Sequence, residues 1–552
     1  MLVNRFLRSE SGNFAMMFAI SAPAILAAVG LALDVTNMIT ARSSLQNALD
    51  SAVLAASRLA DPSATQTGGS QPLSREEIFD RYFEANVTGK NGLLKATAKL
   101  TVEPGINYIK TSATAQAEVP LTFGFFFGGS KQVSAASSAY ESTAKLEVAL
   151  VLDNTGSMGD SNMKALRDGS TNLINILQGA QTQNPQRQIR AALVPFVTAV
   201  NINNPDFLKE DAWIDKRTLI EASTDTTYNG RNFDTTTQNG KKYYTGHWKL
   251  FLSLNPKYPG MRDARVDWKG CVEARPAPYN QDDTKPDSKV PATMFVPYFA
   301  PDEPGAPVKA QNADSNVYNN SYLADYGATG TDAQKQSSIA KYRDITPLKS
   351  GSGSSYDYLI TATPPLTTGP NYACPTPIAP LTDDLNKLKT EIGKMTYWNG
   401  SGTNVSEGLA WGYRVLSPNF GTGDTFKSDG TTKVVVVFTD GENTVFGQNG
   451  TINKSDYGAY GYLSAGRLDS TQNRSKALTN VNNMTQAMCT KLKQQGVRVF
   501  TVVFGADTAA NRDLYSKCAT TPENYYMTKS QDQLKAAFQD IAFSISRLYI
   551  TN

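Results

Sequence analysis

Five oxygen-bearing side chains lie where the chain leaves predicted buried strands or enters a predicted helix. Asp153, Thr155 and Ser157 follow the run LEVALVL, Asp440 follows VVVVFT, and Thr403 lies in a glycine-rich stretch before a helical pattern. In an open α/β sheet, ligands bind outside the carboxyl ends of the strands, where these residues would meet. Carboxylates and hydroxyls are ligands for a hard divalent cation. We therefore predict a site for Mg²⁺, with Mn²⁺ or Ca²⁺ as alternatives.

Each of these residues also has a purely structural interpretation. Asp153, Thr155 and Thr403 could cap the helices that follow them, and Asp440 with Gly441 could form a simple turn. The metal hypothesis depends on all three segments occurring in order on suitable elements. Because only two carboxylates are present, a bound ion would keep positive charge and open positions for an acidic group from elsewhere.

The elements that must position these residues alternate between strand and helix from residue 145 onward. The apolar runs that predict strands are LEVALVLD, IRAALVPFVTAV, KVVVVFTD and VRVFTVVFG. Continuous apolar strands indicate a parallel sheet covered on both faces, and stripes at helical spacing lie between them. We therefore predict a doubly wound, mostly parallel α/β domain over residues 145–552. A long insertion at 201–380, rich in Tyr, Pro, Asn, Asp and Gly, interrupts it, and we expect it to hold a small structure of its own.

The N-terminal segment is apolar enough to cross a bilayer. Residues 11–33 carry no charged side chain until Asp34, and about 20 apolar residues suffice for a helical span. A cleaved signal peptide and a buried core helix are the alternatives. Arg5 and Arg8 precede the segment and favour a cytoplasmic N-terminus, which places the bulk of the chain in the periplasm or outside the cell.

Two regions precede the α/β domain. Residues 1–60 comprise the apolar segment and an amphipathic continuation of the same helix. Residues 61–144 comprise a small α+β region, in which alternating apolar residues over 95–142 predict an antiparallel sheet. One predicted strand is Leu121–Phe127 (LTFGFFF), whose aromatic side chains would face a core; contact with a membrane or a partner is the alternative.

The four cysteines have no metal-binding spacing, and His247 is the only histidine. Their even number fits two disulfides in an oxidising compartment, and buried free thiols are the alternative. We favour Cys271–Cys374 and Cys489–Cys518, because each pairing closes a loop within one segment of the chain.

Composition and motifs exclude some classes of function. The formal net charge is +3, without a basic cluster, so nothing indicates a nucleic-acid partner. The candidate site has no accompanying His or Cys nucleophile, and the chain has no G-x-S-x-G or P-loop motif. We therefore predict that the protein is not an enzyme, since a hydrolase needs a positioned base.

The three site segments resemble a known motif. D-x-S-x-S, a distant Thr and T-D-G form the metal-ion-dependent adhesion site (MIDAS) of von Willebrand factor A (VWA) domains, here with Thr155 in place of the first Ser. The resemblance covers residues 145–552 and implies that the five residues named first are the ligands. It also implies that a partner's Asp or Glu completes the coordination. We expect affinity to come from charge neutralisation and from the aromatic insertion, which would wall the site.

The N-terminus carries a second resemblance. RSESGNFAMMFAISAPAILAAVGLALDVTNMITARSSLQNALDSAVLAA is similar to the pilin-like N-terminus of tight-adherence (Flp) pilus-assembly proteins. With ALVPFVTAVN, NYACPTPIAPLT and the VWA-like region, nearly the whole chain resembles the TadG-like members. The resemblance implies a single-pass protein of the bacterial inner membrane that acts in pilus assembly or adhesion. Its partners would be other pilus-assembly or secretion-system proteins, or a surface ligand offering Asp or Glu.

Two questions stay open at this point. The TadG-like resemblance implies a peptidase site after Gly12, yet Met17 stands where pilins have a glutamate. A metal-independent structural scaffold of the pilus or secretion apparatus is the alternative function.

Overall fold

The computed structural model describes most of the chain as two compact units with separate hydrophobic cores. One unit lies mainly within residues 1–144 and the other mainly within residues 145–551. The described residues are 10–57, 74–88, 93–104, 108–123, 129–142, 145–183, 188–208, 212–254, 266–305, 318–323, 325, 328–343, 364, 367–400, 402–421, 423–427 and 431–551.

The first unit packs two helices on an antiparallel sheet. Its helices are α1 (Glu10–Ser57) and α2 (Arg75–Val87). Ser74 begins α2 with a capping box, in which its hydroxyl accepts the Glu77 N–H while the Glu77 side chain accepts the Ser74 N–H. The described strands are β1 (Leu94–Pro104), β2 (Tyr108–Pro120) and β3 (Ser130–Ser142), in the order β1-β2-β3.

The two halves of α1 have different surroundings. Apolar side chains of the first half are exposed, including Met17 at 73% and Ile20 at 75%. In the second half, Leu45, Leu49 and Val53 are buried in the core of the first unit. Residues 16–57 form a helix that is long and apolar enough to cross a membrane by length and composition. The apolar helix and its amphipathic continuation are confirmed as one element.

The predicted third strand of the small sheet was misplaced. Residues 121–123 form a turn, and residues 124–128 lie outside the described part of the chain. The strand that pairs with β2 is β3, whose sequence SKQVSAASSAYES is mostly small and polar. Among the side chains of this strand that the structure describes, Val133 and Ala135 are buried in the core and Ala139 is partly buried against it, so alternation of Ala with Ser gave too weak a hydrophobic signal.

The second unit is a mixed α/β structure, which agrees with the predicted fold class. Its elements, in chain order, are β4 (Lys145–Asp153), α3 (Gly159–Gln183), β5 (Gln188–Phe196), β6 (Val200–Asn201), β7 (Leu219–Glu221), β8 (Thr236–Gln238), β9 (Lys241–Thr245), α4 (His247–Leu254), β10 (Cys271–Val272), α5 (Asp332–Ser337), α6 (Ala340–Arg343), β11 (Ala379–Thr382), α7 (Leu385–Gly393), α8 (Val405–Val415), β12 (Thr431–Thr439), α9 (Arg474–Gln494), β13 (Arg498–Phe504), α10 (Ala509–Cys518), β14 (Tyr525–Thr528) and α11 (Gln531–Thr551).

A mixed sheet organises this unit. Its order within the described residues is β10-β6-β5-β4-β12-β13-β14, with β11 paired to β5. The neighbouring strands β5, β4, β12, β13 and β14 are parallel. On the β5 side, β6 and β11 each pair antiparallel with β5, and β10 pairs antiparallel with β6. The run IRAALVPFVTAV does not form one strand. β5 ends at Phe196 and the chain reverses, so that Val200 of β6 pairs back with Phe196.

The insertion at 201–380 has structure of its own. It contains the antiparallel sheet β7-β9-β8 and the helix α4. Its aromatic side chains form a buried cluster that includes Phe299, Tyr322 and Tyr342. These side chains are therefore core residues of the insertion.

Both disulfides form with the predicted pairing. Cys271, in β10, is bonded to Cys374 with Cα atoms 5.8 Å apart, so the bond ties the insertion to the edge of the main sheet. Cys489 is bonded to Cys518 with Cα atoms 5.0 Å apart, which joins α9 to α10.

Candidate functional site

Two neighbouring parallel strands end together at the site. β4 and β12 pair in register, with Phe438 opposite Leu152, so Asp153 and Thr439 reach the same edge of the sheet. All of β4 beyond Lys145 is buried, and Asp153 itself is 0% exposed. The apolar strand therefore delivers a carboxylate to a place where it must be hydrogen-bonded or neutralised.

Close polar contacts connect four of the five predicted residues in one series. Asp153 Oδ1 accepts from the Thr155 N–H at 2.9 Å and from the Thr155 hydroxyl at 2.6 Å. The Thr155 and Ser157 hydroxyls are 3.0 Å apart, and Ser157 Oγ donates to Asp440 Oδ1 at 2.9 Å. A Cβ at Gly156 would lie 2.1 Å from the side-chain oxygen of Asn399, so a larger residue here would displace the Asn399 side chain.

The second oxygen of Asp153 has a partner that the sequence reasoning missed. Thr439 Oγ1 donates to Asp153 Oδ2 at 2.8 Å. Thr439 is the Thr of the T-D-G motif, so the signal was present in the sequence although we assigned this residue no role. Together with Thr155 it fixes the orientation of the buried carboxylate.

The predicted fifth residue, Thr403, lies in a loop clamped by the segment after β12. The Thr403 N–H donates to Thr444 Oγ1 at 2.8 Å, and the Thr444 N–H donates back to the Thr403 carbonyl at 2.9 Å. The Val405 N–H donates to Asn443 Oδ1 at 2.8 Å. Gly402 has φ of +94°, and a Cβ there would lie 2.4 Å from the Thr444 carbonyl oxygen. Sequence reasoning missed Asn443 and Thr444, because a pattern of residue types does not show which loops touch.

The helix-capping interpretations are not observed. Asn404 caps α8, since its side-chain oxygen accepts the Glu407 N–H at 3.2 Å. Thr155 precedes a short 3₁₀ turn but makes no side-chain capping bond to it. The side chains of Thr155 and Thr403 are thus available for another role.

An open cleft of about 570 Å³ brings the predicted residues together. Thr155, Ser157, Thr403 and Asp440 all line it, with Asp153 buried at the end of β4. Its aromatic lining is Tyr397 and Phe446. Among the described residues, none that lines this cleft belongs to the insertion at 201–380. Within the described part of the insertion, aromatic side chains such as Phe299, Tyr322 and Tyr342 lie in its own core, and the expectation that the insertion walls the site stays a prediction.

The site concentrates negative charge. Among the described residues, no lysine or arginine forms an ion pair with Asp153 or Asp440. Burial raises the pKa of Asp153, and hydrogen bonds from Thr155 oppose that rise. Burial and the nearby Asp153 carboxylate raise the pKa of Asp440 to about 7. A cation in the cleft would remove the repulsion between the two carboxylates.

The donor set fits a hard divalent cation that retains water. It offers oxygen atoms only, which suits Mg²⁺ better than a soft metal. The described part of the chain has no group of three or more His, Cys, Asp or Glu side chains placed to hold a metal ion. An ion in this cleft would therefore depend on hydroxyls and water as well as on the two carboxylates.

A protein-family comparison concerns the N-terminal helix. Residues 12–61 match the family model described as putative Flp pilus-assembly TadE/G-like. The match begins at Gly12, which lies in α1, and cleavage after Gly12 stays a prediction. A comparison with curated proteins returned no match.

Similar solved structures include three pilus proteins. The pilus adhesin SpaC from Lactobacillus rhamnosus GG is 11% identical, with 82% of this chain and 35% of SpaC covered and a TM-score of 0.29. The vWF domain of the type V pili tip protein Mfa5 from Porphyromonas gingivalis is 11% identical, with 74% of this chain and 97% of the Mfa5 domain covered and a TM-score of 0.29. The adhesive tip pilin GBS104 from Group B Streptococcus agalactiae is 13% identical, with 83% of this chain and 70% of GBS104 covered and a TM-score of 0.31.

The chain spans only 35% of the length of SpaC. Because these TM-scores are low, a function for this chain has to be argued from its own residues and not from these structures.

Proposed function

We propose that this chain is a membrane-anchored, exported component of Flp (tight-adherence) pilus assembly or adhesion. Its second unit would be a doubly wound VWA-type domain, spanning residues 145–552, that binds a partner through a MIDAS. The family match over residues 12–61 supports the pilus context. The observation that carries the binding function is the continuous series of close oxygen–oxygen contacts from Asp153 through Thr155 and Ser157 to Asp440, at the ends of two parallel strands.

In this proposal each site residue has a defined role. Asp153, Thr155, Ser157, Thr403 and Asp440 would hold Mg²⁺ directly or through water. The ion would supply positive charge and an open position for an Asp or Glu of the partner. Thr439 keeps Asp153 oriented. Without an ion the pKa of Asp440 is raised to about 7, and the positive charge of a bound ion would lower it and release the proton.

The proposed location is the bacterial inner membrane, with a single pass through α1. The N-terminus would be cytoplasmic and the bulk of the chain periplasmic or extracellular, a placement supported by Arg5 and Arg8 and by the two disulfides. The partners would be other pilus-assembly or secretion-system proteins, or a surface ligand offering Asp or Glu. We propose no nucleic-acid partner and no catalytic activity.

A metal-independent scaffold is the second candidate function. It is supported by the insertion, which has an aromatic core of its own and a disulfide attachment to the sheet edge that the candidate metal site does not use. In that case the hydrogen bonds at the strand ends would be structural, and loss of Asp153 would leave pilus assembly unchanged.

Isothermal calorimetry of the full chain in detergent micelles tests the proposal. Mg²⁺, Mn²⁺ and Ca²⁺ are titrated into the parent, into Asp153→Ala and into Ser157→Ala. The control is Asp507→Asn, which changes a carboxylate after β13 that is paired with Lys529. Saturable binding in the parent and the control, with loss in both site variants, supports the metal site. Equal heats for all four proteins would refute it and favour the scaffold.

A further inference from the structure

The turn after β2 is fixed to α1 near the end of the apolar segment. The Asp34 carboxylate, 4% exposed, accepts the N–H of Thr122 at 2.7 Å and the N–H of Phe123 at 3.1 Å. One helical turn earlier, a Cβ at Gly30 would lie 2.5 Å from the Phe123 ring. The Phe123 ring therefore packs directly on the backbone of α1 at the only kind of residue that leaves room for it.

This attachment lies at a defined depth along the helix. The uncharged stretch begins at residue 11 and ends at Leu33, so Asp34 is its first charged residue. A span of about 20 residues crosses the hydrocarbon core of a bilayer. Gly30 precedes Asp34 by one turn, or about 6 Å along the helix, which places it just inside the end of the span.

The packing pattern changes at the same point. Large apolar side chains before Gly30 are exposed, with Leu26 63% and Val29 51% exposed. Gly30 and Asp34 are the first buried residues of the helix among those whose side chains are described. The turn at 121–123 thus contacts α1 at the point where its exposed apolar half ends.

The hydrogen bonds to Asp34 suit this depth. Backbone N–H groups that approach hydrocarbon must be paired within the protein, because no water is available there to pair them. Asp34 pairs two of them from the turn, and in return its own carboxylate is hydrogen-bonded rather than buried alone.

We propose that this turn is a second membrane contact, in which Phe123 lies at the boundary between headgroups and acyl chains of the bilayer that α1 spans. The occupant of this surface is lipid. Gly30 and Asp34 hold the turn against the helix, so the first unit rests on the membrane in one orientation. The inference rests on the proposed anchoring of α1 and goes beyond it, because an anchor alone requires no contact by the folded sheet.

A tryptophan placed in the turn reports its depth. The full chain carrying Phe123→Trp is reconstituted in phosphatidylcholine–phosphatidylglycerol vesicles, with lipids brominated at shallow or deep acyl positions as quenchers. The five native tryptophans all lie after residue 200, and their emission in the parent chain is subtracted. The matched control is Tyr140→Trp, a 65% exposed aromatic position that pairs with Lys110 near the opposite end of β2.

The expected result is a blue-shifted added emission from Phe123→Trp that shallow bromines quench more than deep ones. The Tyr140→Trp emission stays unquenched. Adding Gly30→Ala to Phe123→Trp should reduce the quenching, because the new methyl group displaces the ring from the helix.

Two distinguishable results overturn the inference. If the protein floats with the vesicles but the Phe123→Trp emission is quenched no more than that of Tyr140→Trp, the turn does not contact lipid although the anchor does. If the protein fails to float, the anchoring itself is refuted, and the inference is refuted with it.

Discussion

Replacing Asp440 by Asn should stabilise the metal-free protein at alkaline pH while removing its affinity for metal. Burial and the Asp153 carboxylate raise the pKa of Asp440 to about 7, above its usual 3.8. Between these two values the folded state binds more protons than the unfolded state, so stability falls as the pH rises through that window. Asn is neutral at every pH, and its side-chain oxygen can still accept the hydrogen bond from Ser157.

The size of the effect follows from the shift in pKa. A rise of about 3 units corresponds to about 4 kcal/mol of unfavourable free energy once Asp440 is ionised. Repulsion from Asp153 provides part of that shift, and Asp440 is partly exposed, so solvent screening reduces the measurable value. We expect Asp440→Asn to gain about 2 to 4 kcal/mol over the parent at about pH 8 and almost nothing near pH 4.

Denaturant unfolding in the presence of a chelator measures this difference. Tryptophan emission reports only on the second unit, because all five tryptophans lie there. The control is Asp507→Asn, since hydrogen bonds from Lys529 and Arg512 lower the pKa of Asp507 and its replacement should bring no gain at alkaline pH.

Adding Mg²⁺ at about 100 times its dissociation constant should stabilise the parent by about 2.7 kcal/mol and leave Asp440→Asn unchanged. The reasoning is refuted if the variant is no more stable than the parent at about pH 8, or if its advantage does not depend on pH.

Three further changes test the supporting structure. Gly402→Ala should cost about 1 to 3 kcal/mol of stability and weaken metal binding, because φ is +94° and the new Cβ meets a carbonyl; unchanged unfolding and calorimetry would contradict this. Thr439→Val should lower metal affinity about fivefold, through the loss of about 1 kcal/mol of hydrogen bonding to the buried carboxylate, whereas equal affinity would show that this bond does not position the site. Removing the Cys489–Cys518 bond with a double Ser variant should cost about 3 kcal/mol in thermal or chemical unfolding, because it closes a loop across 29 residues, and an unchanged midpoint would argue against that entropic stabilisation.

The sequence was sufficient to predict which residues meet at the sheet edge where chemistry and periodicity agreed. Long apolar runs ending in Asp153 and Asp440 predicted two strands with a common edge, and the structure joins them through Thr155 and Ser157. The helix α1 was also predictable, because its first half is a long uncharged apolar run and its second half has apolar residues at helical spacing. The local sequence pattern gives each strand and helix directly, since each depends on residues close together in the chain, and the parallel order of the strands then brings their ends to one edge.

Other features depend on contacts that no local pattern records. β3 was missed because an Ala and Ser strand scarcely differs in polarity between its two faces. The clamp from Thr444 onto Thr403 joins residues far apart in the sequence. The aromatic content of the insertion suggested a binding wall, but Tyr322 and Tyr342 are fully used in an internal core. Residue types alone do not distinguish a buried aromatic cluster from an exposed one.

The continuity of α1 has a mechanical consequence. The apolar half of this helix runs without a break into the half that carries Leu45, Leu49 and Val53 into the core of the first unit. A force applied along the anchor would load these contacts simultaneously in shear, rather than peeling them apart one at a time. Contacts loaded together resist tension better than contacts loaded in sequence. Single-molecule pulling from the N-terminus should therefore show one abrupt high-force rupture, and a staircase of small ruptures would disprove this view of the anchor.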